Sequence, residues 1–556
     1  MTLLVDRVST AGSVEEAVGA RRSPVQARPA TRLRTAAPLT LVLLVQGLLS
    51  LKNRPFASRT EALALYRANL DLQRLTGSAT DHFGAAGHMS AIAASTYVYP
   101  VWAAMASSLG GLTGARLLSL VLMMSSTVLV CGLTRRLFGD LAGVCAACLF
   151  VAASPTLVLG DLAQYDAMSV FLLCLSARFA VTAVTTTDSR SLLAPALSGA
   201  TAALCAATGP LGLLFVPVVA VLLVVASAAR PAAITWADDG AGTTAGPFLR
   251  LGSFAAGIAT VAVLFIVVLP LLGPKVTLSV AGWGPRGLSQ PIGATLGGTL
   301  WYIGPALVLS LVAMVSLGFC RGRRRRRTLL VAGVLLAGGV LGPVYAELLH
   351  GGPTLLDLDA CSLVFASCLG GEAIRRFFAW WKSRAVIPVV AGILAVLSFA
   401  GATFGSNFTW TSEQALVSTL SKVVRPGDNH YLLSEPVVPE YYLESVASPK
   451  QFLSTNSLFS YAPAGATSPV HGLLAYREAI GAGYFQAIAL PADPGHSALL
   501  ASLASDIAGS KKYALHYSAS GTAARPGWYV WTLVRPSPLL GKAVSMPPFD
   551  VAGGRR

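Results

Sequence analysis

Charged residues are scarce in this 556-residue sequence, in which they make up only 12%, with 25 acidic residues against 41 lysines and arginines. Hydrophobic residues make up 54%, and the mean hydropathy is +0.64. A soluble protein of this length does not need so much apolar sequence, so the composition excludes an ordinary soluble domain. We therefore predict an α-helical polytopic membrane protein.

The sequence also lacks the patterns of several common chemistries. Its eight cysteines all lie in or at the ends of apolar runs, and none falls after residue 405. They form neither a disulfide framework nor a CxxC metal site. Internal repeats and glycine-rich phosphate loops are missing as well. His82 and His88 find no further metal ligands in the pattern, so we predict no metal ion, no divalent cation and no other cofactor.

The net charge of +16 would suit a nucleic-acid partner, but its distribution does not. The basic residues cluster in short loops between apolar runs, which is the pattern that fixes the orientation of membrane proteins. The run RGRRRRR at 321–327 is the strongest example, and we interpret it as a topology signal that touches anionic lipid headgroups. The predicted partner is thus the lipid bilayer and not nucleic acid.

Eleven apolar runs are long enough to cross the hydrocarbon as helices. Arg135 and Arg136 lie in a short loop between two of these runs, and such loops stay cytoplasmic. The odd count then places the N-terminus in the cytoplasm and the C-terminus outside a plasma (inner) membrane. The predicted spans lie near 36–51, 114–133, 141–160, 167–186, 192–208, 210–229, 251–272, 300–319, 328–348, 361–379 and 386–405.

Three regions follow from this pattern. Residues 1–34 form a basic, disordered cytoplasmic tail. Residues 35–405 form the transmembrane domain, in which the first extracytoplasmic loop, 52–110, contains juxtamembrane helices and ends in a surface-lying or re-entrant segment at 91–110. Residues 406–556 form a small extracytoplasmic α/β domain. There, alternating runs such as YLLSEPVVPEYYLE and WYVWTLVRP predict strands, and 497–509 predicts a helix.

Charged residues at the outer ends of the spans are candidates for a functional site, because charges at that level of a helix bundle are costly. Arg116 would either bind a phosphate or extend to the lipid headgroups. Asp166 would either be a reactive acid or favour the dipole of the helix that follows it. Asp161 has the same two readings, a helix cap or a site residue. Five basic residues of the first loop either are tolerated in a long loop or meet an anionic ligand: Lys52, Arg54, Arg59, Arg67 and Arg74.

A series of motifs runs through the chain in a fixed order. It consists of Tyr99-Pro100, Gly110–Leu112, Ala115–Leu120, Thr134–Gly139 and Ala163–Ala167, followed by Ala475–Ile480, Gly483–Phe485 and Gly527–Trp531. This order resembles the GT-C superfamily of integral-membrane glycosyltransferases, and most closely its actinobacterial members related to protein mannosyltransferases and aminoarabinose transferases. The resemblance covers most of the chain and implies a GT-C-like helical domain.

The resemblance also implies an activity, the transfer of a sugar from a polyprenyl-phosphate donor to an acceptor at the outer membrane face. The acceptor would be a cell-envelope glycan, a lipid or a protein, and the lipid-linked sugar would be a substrate rather than a cofactor. The reaction needs a carboxylate that takes the proton of the acceptor hydroxyl. In the family the first outer loop supplies this acid as an Asp-Glu pair, and here Thr60-Glu61 stands in its place. We predict Glu61 and Asp166 as the catalytic candidates.

A second group of residues would bind the donor or the acceptor, because a phosphate needs cations near the membrane interface and a sugar needs polar partners. These candidates are Arg59, Tyr99, Arg116, Asp161, Tyr165, Lys275, Arg286 and His350.

Two alternatives remain open. The family's Lys-His motif in a late outer loop is replaced by Leu355–Asp359, and its SGAP-like run by Ala94–Val98. Together with the missing aspartate of the first loop, these losses favour a catalytically silent membrane scaffold that binds a lipid-linked sugar or a cell-wall glycan. A lipid or solute transporter is the third possibility, which the lack of inverted halves disfavours.

Overall fold

Long apolar helices make up most of the computed structural model. It describes residues 29–51, 56–75, 98–185, 192–209, 212–229, 246–265, 294–319, 324–348, 355–381, 413–427, 429–455, 459–462, 468–492, 497–519 and 527–534. The helices described before residue 382 are α1 (Pro29–Ser50), α2 (Arg59–Leu75), α3 (Val98–Phe138), α4 (Asp140–Ala152), α5 (Ser154–Asp161), α6 (Asp166–Thr185), α7 (Leu193–Thr208), α8 (Gly212–Ala229), α9 (Pro247–Val263), α10 (Ala294–Gly318), α11 (Arg324–Leu348) and α12 (Leu355–Trp381).

Helices lie in each predicted span up to 361–379, although the end of the span 251–272 and the whole of the last predicted span, 386–405, lie outside the described residues. Within the described part of the chain, four helices are long and apolar enough to cross a membrane, and the bent pair α4 and α5 would make a fifth. The chain is therefore a helical membrane protein, while eleven spans stays a prediction. Helix α1 begins at Pro29, inside the segment predicted as a tail.

Helix α3 is broken at two successive glycines. Gly110 has an extended φ of −147°, and Gly111 has φ +57° with ψ −146°, a conformation that side chains with a Cβ rarely adopt. Just beyond the break the two halves touch, because a Cβ on Gly114 would overlap the carbonyl oxygen of Ala106. The part before the break is thus a separate helix that leads into the rest of α3, and a surface-lying or re-entrant placement of 91–110 stays a prediction.

The predicted single span at 141–160 is instead two helices, α4 and α5, bent by 65°. Ala153 between them is extended, with φ −81° and ψ 135°. Pro155 follows in the first turn of α5, where its missing N–H is not needed, whereas a continuous helix would need it. The bend carries the end of α5, at Asp161, toward the start of α6.

Helix α6 lies at the centre of the bundle. In its membrane-spanning window, 72% of the residues are buried inside the protein. Small side chains such as Ala177 and Ala180 allow its neighbours to approach closely, and both are fully buried in the main core. Helix α12 packs on the same core, where Phe365 stacks on Phe215 of α8 with ring centroids 6.0 Å apart. Helix α6 therefore presents its first residue, Asp166, at one end of a rigid core.

The C-terminal part is a small α/β domain, as predicted. A five-stranded sheet has the order β2-β1-β5-β7-β6, in which β1 is parallel to β2 and β5, and the remaining pairs are antiparallel. Helices cover both faces of the sheet. The elements are α13 (Gln414–Val423), β1 (His430–Leu433), α14 (Val437–Leu443), β2 (Phe452–Ser454), β3 (Ser460–Tyr461), β4 (Val470–His471), α15 (Leu473–Ala482), β5 (Phe485–Pro491), α16 (Ala498–Ser510), β6 (Tyr513–Ala519) and β7 (Trp528–Leu533).

One strand prediction in this domain is wrong. The run YLLSEPVVPEYYLE forms strand β1 only over its first residues and then turns into helix α14. Pro436 precedes this helix and Pro439 lies in its first turn, where prolines are tolerated but would break a strand ladder. Helix α14 packs against α2 of the membrane domain. The helix predicted at 497–509 is confirmed, with the Ser497 hydroxyl accepting the amide hydrogen of Leu500 at its start.

Candidate active site

Glu61 lies at the first turn of α2 and is completely buried. Its Oε1 accepts hydrogen bonds from Arg116 Nε at 2.8 Å and from the amide of Ala163 at 2.9 Å. Its Oε2 accepts hydrogen bonds from Arg116 Nη2 at 3.0 Å and from the amide of Ser58 at 2.9 Å. The carboxylate thus accepts four hydrogen bonds, two of them from a cation, and joins the start of α2 to α3 and to the loop before α6.

The local sequence explains why Glu61 points inward. Ser58 and Glu61 form a reciprocal capping pair, because the Ser58 hydroxyl accepts the Glu61 amide hydrogen at 3.3 Å while the Glu61 carboxylate accepts that of Ser58. This is the capping-box pattern, in which a serine is followed three residues later by a glutamate at a helix start. This Ser-x-x-Glu spacing is a signal for the helix start that the sequence itself contains.

Arg116 sits between acids. Besides Glu61, its Nη2 donates to the carbonyl oxygen of Phe56 at 3.0 Å, and its side chain is 12% exposed. Asp161, the last residue of α5, is buried and lies close enough for its charge to stabilise the guanidinium. The structure therefore brings together three of the predicted site residues, Glu61, Arg116 and Asp161.

A second pair of acids lies at the start of α6. The carboxyl groups of Asp166 and Asp357 are in hydrogen-bonding contact, although they are far apart in sequence. Two carboxyl groups hydrogen-bond to each other only when one carries a proton, so this pair has both a proton donor and an acceptor. Asp359, two residues along α12, is fully buried, and neither of its carboxylate oxygens has a hydrogen-bond partner within the described residues.

Tyr165 lies directly before this acid pair. Its ring packs against Gly209, where a Cβ would come within 3.4 Å of it. The charge of Asp166 and then burial raise the pKa of Tyr165, so its hydroxyl stays protonated. On the other side, the Gln164 amide donates a hydrogen bond to the hydroxyl of Thr60. The segment from Ala163 to Asp166 thus connects the Glu61–Arg116 pair to the Asp166–Asp357 pair.

The C-terminal domain contributes to the same region. Tyr442 of α14 accepts a hydrogen bond from the amide of Ala57 at 2.7 Å, and its ring lies on Phe56 with centroids 4.6 Å apart. Arg59 at the start of α2 forms an ion pair with Glu435 at 2.7 Å. Arg59, predicted to bind the donor or acceptor, is therefore also a link between the two domains.

The remaining predicted site residues divide into two groups. Tyr99 is buried beside Ser119, with 3.4 Å between the two hydroxyl oxygens, and it is close enough to Glu61 and Asp166 to interact with their charges. Lys275, Arg286 and His350 lie outside the described residues. The roles of all these residues stay predictions. Among the described residues, no group of three or more His, Cys, Asp or Glu is arranged to hold a metal ion.

Comparison with known proteins places the fold. No family model matches the sequence, and no curated protein sequence matches it significantly. Solved structures do match. ArnT from Cupriavidus metallidurans in the apo state superposes with a TM-score of 0.59 at 13% identity, over 90% of this chain and 98% of that one. The same protein bound to undecaprenyl phosphate gives 0.55 at 12% identity, over 91% and 98%.

A third solved structure is similar over most of its length. The apo oligosaccharyltransferase from Archaeoglobus fulgidus matches with a TM-score of 0.51 at 12% identity, over 89% of this chain and 74% of that one. ArnT and this oligosaccharyltransferase are both GT-C membrane glycosyltransferases. Likeness at this identity concerns the fold, and it confirms the fold predicted from the order of the motifs. The chain is a membrane protein with the fold of the GT-C glycosyltransferase superfamily.

Proposed function

We propose that this protein transfers a sugar from a polyprenyl-phosphate donor to an acceptor hydroxyl at the extracytoplasmic face of the plasma membrane. The support is the GT-C fold together with a buried polar region at one end of the bundle, to which the C-terminal domain contributes. ArnT, a neighbour in fold, has been solved bound to undecaprenyl phosphate, a donor carrier of this chemical class. The acceptor class is a cell-envelope glycan, lipid or protein.

The observation that carries the proposed mechanism is the hydrogen bonding of Glu61. With four hydrogen bonds to its two oxygens, Glu61 cannot take a proton without giving up a contact to Arg116, Ser58 or Ala163. Asp166 instead has the carboxyl group of Asp357 as its hydrogen-bond partner, which donates to Asp166 and leaves Asp166 as the acceptor. We therefore assign the general base to Asp166 and a positioning role to Glu61.

In the proposed step, Asp166 takes the proton of the acceptor hydroxyl while the oxygen attacks the anomeric carbon of the donor sugar. The bond between that carbon and the phosphate oxygen breaks, the configuration inverts, and the polyprenyl phosphate leaves with the electron pair. Asp357, which carries the proton of the pair, donates a hydrogen bond to Asp166 and orients it, and after the transfer Asp166 releases the acquired proton to solvent, which restores the base. Tyr165, whose hydroxyl stays protonated, is placed to donate a hydrogen bond to a sugar or phosphate oxygen.

A single-turnover assay tests this assignment. Purified protein is mixed with a panel of polyprenyl-phosphate sugars, and sugar release is followed for wild type, Asp166→Asn and Glu61→Gln, each normalised to the folded fraction. We expect Asp166→Asn to lower the rate by about 10²–10⁴-fold, the usual contribution of a general base. Asp140→Asn is the control, because that acid is 61% exposed at the other end of α3. A larger loss in Glu61→Gln than in Asp166→Asn would reverse the two roles.

The same arrangement of Glu61 supports a second function, that of a silent scaffold. Its ion pair with Arg116 neutralises the family's usual first-loop acid, as in a protein that binds a lipid-linked sugar without transferring it. The two functions differ in one measurement. A scaffold binds the donor with the same affinity in wild type and Asp166→Asn and releases no sugar from any donor of the panel.

A further inference from the structure

Two arginines cross-link α3 and α6 at the end of the bundle opposite the Glu61–Arg116 pair. Arg136 of α3 donates a hydrogen bond to the Thr182 hydroxyl of α6, and Arg178 of α6 donates one to the carbonyl oxygen of Gly132 in α3, at 2.6 Å. Arg136 follows Arg116 by 20 residues, or about 30 Å of helix. This cluster is therefore separate from the proposed active site.

The charge around Arg178 is unusual for a half-buried cation. The charges of two more arginines, Arg136 and Arg135, act on it. No acidic side chain of the described residues forms an ion pair with Arg178. The nearby acid, Asp140, contacts Arg135 at 3.3 Å, and both side chains are mostly exposed. A half-buried guanidinium beside like charges is costly unless an anion accompanies it.

A second pair of arginines in the chain shows how a protein usually neutralises partly buried guanidinium groups. Arg375 and Arg376 of α12 both bind Glu372, which is 2% exposed, with Nε–O distances of 2.6 and 2.7 Å. There the protein supplies its own buried carboxylate. At Arg178 the protein supplies the carbonyl oxygen of Gly132 instead of a carboxylate. The positive charge of the guanidinium can therefore be neutralised by a bound anion.

Gly132 shapes the position of Arg178. A Cβ on Gly132 would lie 3.4 Å from Arg178 Cζ and Nε, so the guanidinium rests against the bare backbone of α3. Arg178 is seven residues before the end of α6 at Thr185, which sets it about 10 Å inside the helix end. That depth is suited to a lipid headgroup and its glycerol region rather than to an ion in bulk water.

The outer surface of α3 continues this site with an apolar stripe. Leu117, Val121 and Val128 are 46%, 58% and 42% exposed. Arg135 comes 18 residues after Leu117, which is five full turns, so it ends the same stripe. A lipid whose acyl chain lies along these side chains would have its headgroup at the arginines. A free phosphate has no acyl chain and gains nothing from the apolar stripe.

We propose that Arg178, with Arg135 and Arg136, binds the phosphate of an anionic phospholipid whose acyl chain lies along α3. Charge-assisted hydrogen bonds from guanidinium to phosphate are the strong contacts of such sites. Basic pockets between membrane helices bind anionic headgroups in the same way. The site is independent of sugar transfer and holds without donor or acceptor.

Native mass spectrometry of the full-length protein tests the proposal, with phosphatidylglycerol titrated against phosphatidylcholine. We expect wild type to retain phosphatidylglycerol and Arg178→Gln to bind it about tenfold more weakly. Arg375→Gln is the matched control, because it removes one positive charge from a pair that shares the carboxylate of Glu372. Gly132→Leu keeps every charge but displaces the Arg178 side chain, and it should weaken binding as Arg178→Gln does.

The outcomes are distinct. Equal binding of phosphatidylglycerol by Arg178→Gln and Arg375→Gln would overturn the proposal, since the effect would then reflect overall charge. Displacement of the lipid by millimolar inorganic phosphate would overturn the lipid as occupant and leave a free-anion site. If Arg178→Gln fails to fold, Gly132→Leu provides the test. Undiminished binding of phosphatidylglycerol by Gly132→Leu would then overturn the proposal.

Discussion

Arg116 binds both carboxylate oxygens of Glu61, with Nε–Oε1 2.8 Å and Nη2–Oε2 3.0 Å, in a region where Glu61 has no solvent exposure. Removing one partner of such a buried pair costs about 3–5 kcal/mol, and the nearby charge of Asp161 on Arg116 puts Glu61→Gln at the lower end of this range. We expect Glu61→Gln to lower the free energy of unfolding by this order, measured by denaturant unfolding in detergent. Asp140→Asn, which removes an exposed ion pair with Arg135, should cost less than about 1 kcal/mol.

The double variant Glu61→Gln/Arg116→Gln provides the internal control. Because it leaves no unpaired charge between the two positions, its loss should be smaller than the sum of the single losses, which is the sign of a direct interaction. Additive losses would contradict the pairing and leave each residue with separate partners.

Tyr442 should hold the segment before α2 in place. Tyr442→Phe removes the acceptor of the Ala57 amide, and since Ala57 is 1% exposed, its N–H loses its partner inside the protein at a cost of about 1–3 kcal/mol. We expect faster hydrogen exchange of the Ala57 amide, read by mass spectrometry of the peptide that covers it. Tyr441→Phe is the matched control, because the neighbouring hydroxyl has no such bond to Ala57. Equal exchange in the two variants would show that the hydroxyl of Tyr442 contributes nothing.

The sequence predicted where Arg116 lies better than it predicted which residue Arg116 contacts. The basic loop at Arg135 predicts that Arg116 lies at the outer end of a span, because loop charges fix the direction of every helix, and this orientation stays a prediction. Its contact with Glu61 did not follow, since a contact over 55 residues depends on how the first loop packs. The Ser58–Glu61 capping pattern was readable in the sequence and would have placed the start of α2.

The contact between Asp166 and Asp357 could not be predicted from the sequence. Asp166 is predicted from its charge at the end of a span and from the Tyr165-Asp166 motif, whereas Asp357 enters the prediction only as part of the segment that replaces a family motif. Nothing in local periodicity brings α6 and α12 together, because their contact depends on the packing of the whole helical core. The run at 437–443 failed for a different reason, since its short apolar pattern fits a strand and a helix equally well.

The domain contact at Arg59 should depend on pH through Glu413, which is 5% exposed. Burial, followed by the charge of Glu435, raises the pKa of Glu413 from 4.5 to about 8, while Arg59 opposes the shift. An acid with a higher pKa in the folded state binds its proton more tightly when folded. Stability is therefore unaffected below pH 4.5, falls as the pH rises toward about 8, and stays low above it.

The measurement is the unfolding midpoint of the full chain between pH 6 and 9. We expect it to fall in wild type and to fall less in Glu413→Gln, which cannot ionise. Glu440, whose pKa burial also raises to about 8, contributes to the slope that remains, together with Glu435 and Glu444, whose pKa values burial raises too. Glu478→Gln removes a charge from an exposed position and should keep the wild-type slope. Identical slopes in Glu413→Gln and Glu478→Gln would exclude Glu413 as the titrating group.

The break in α3 gives the last prediction. Gly111 has φ +57° and ψ −146°, a backbone conformation that is essentially restricted to glycine, and no atom lies within 4 Å of a Cβ built on it. Gly111→Ala should therefore destabilise the protein by about 1–3 kcal/mol through backbone strain alone. Gly110→Ala is the control, because its φ of −147° suits any residue and its Cβ also meets open space. The two variants are compared by denaturant unfolding. Equal stability would mean that Gly111 does not have a positive φ in the folded protein.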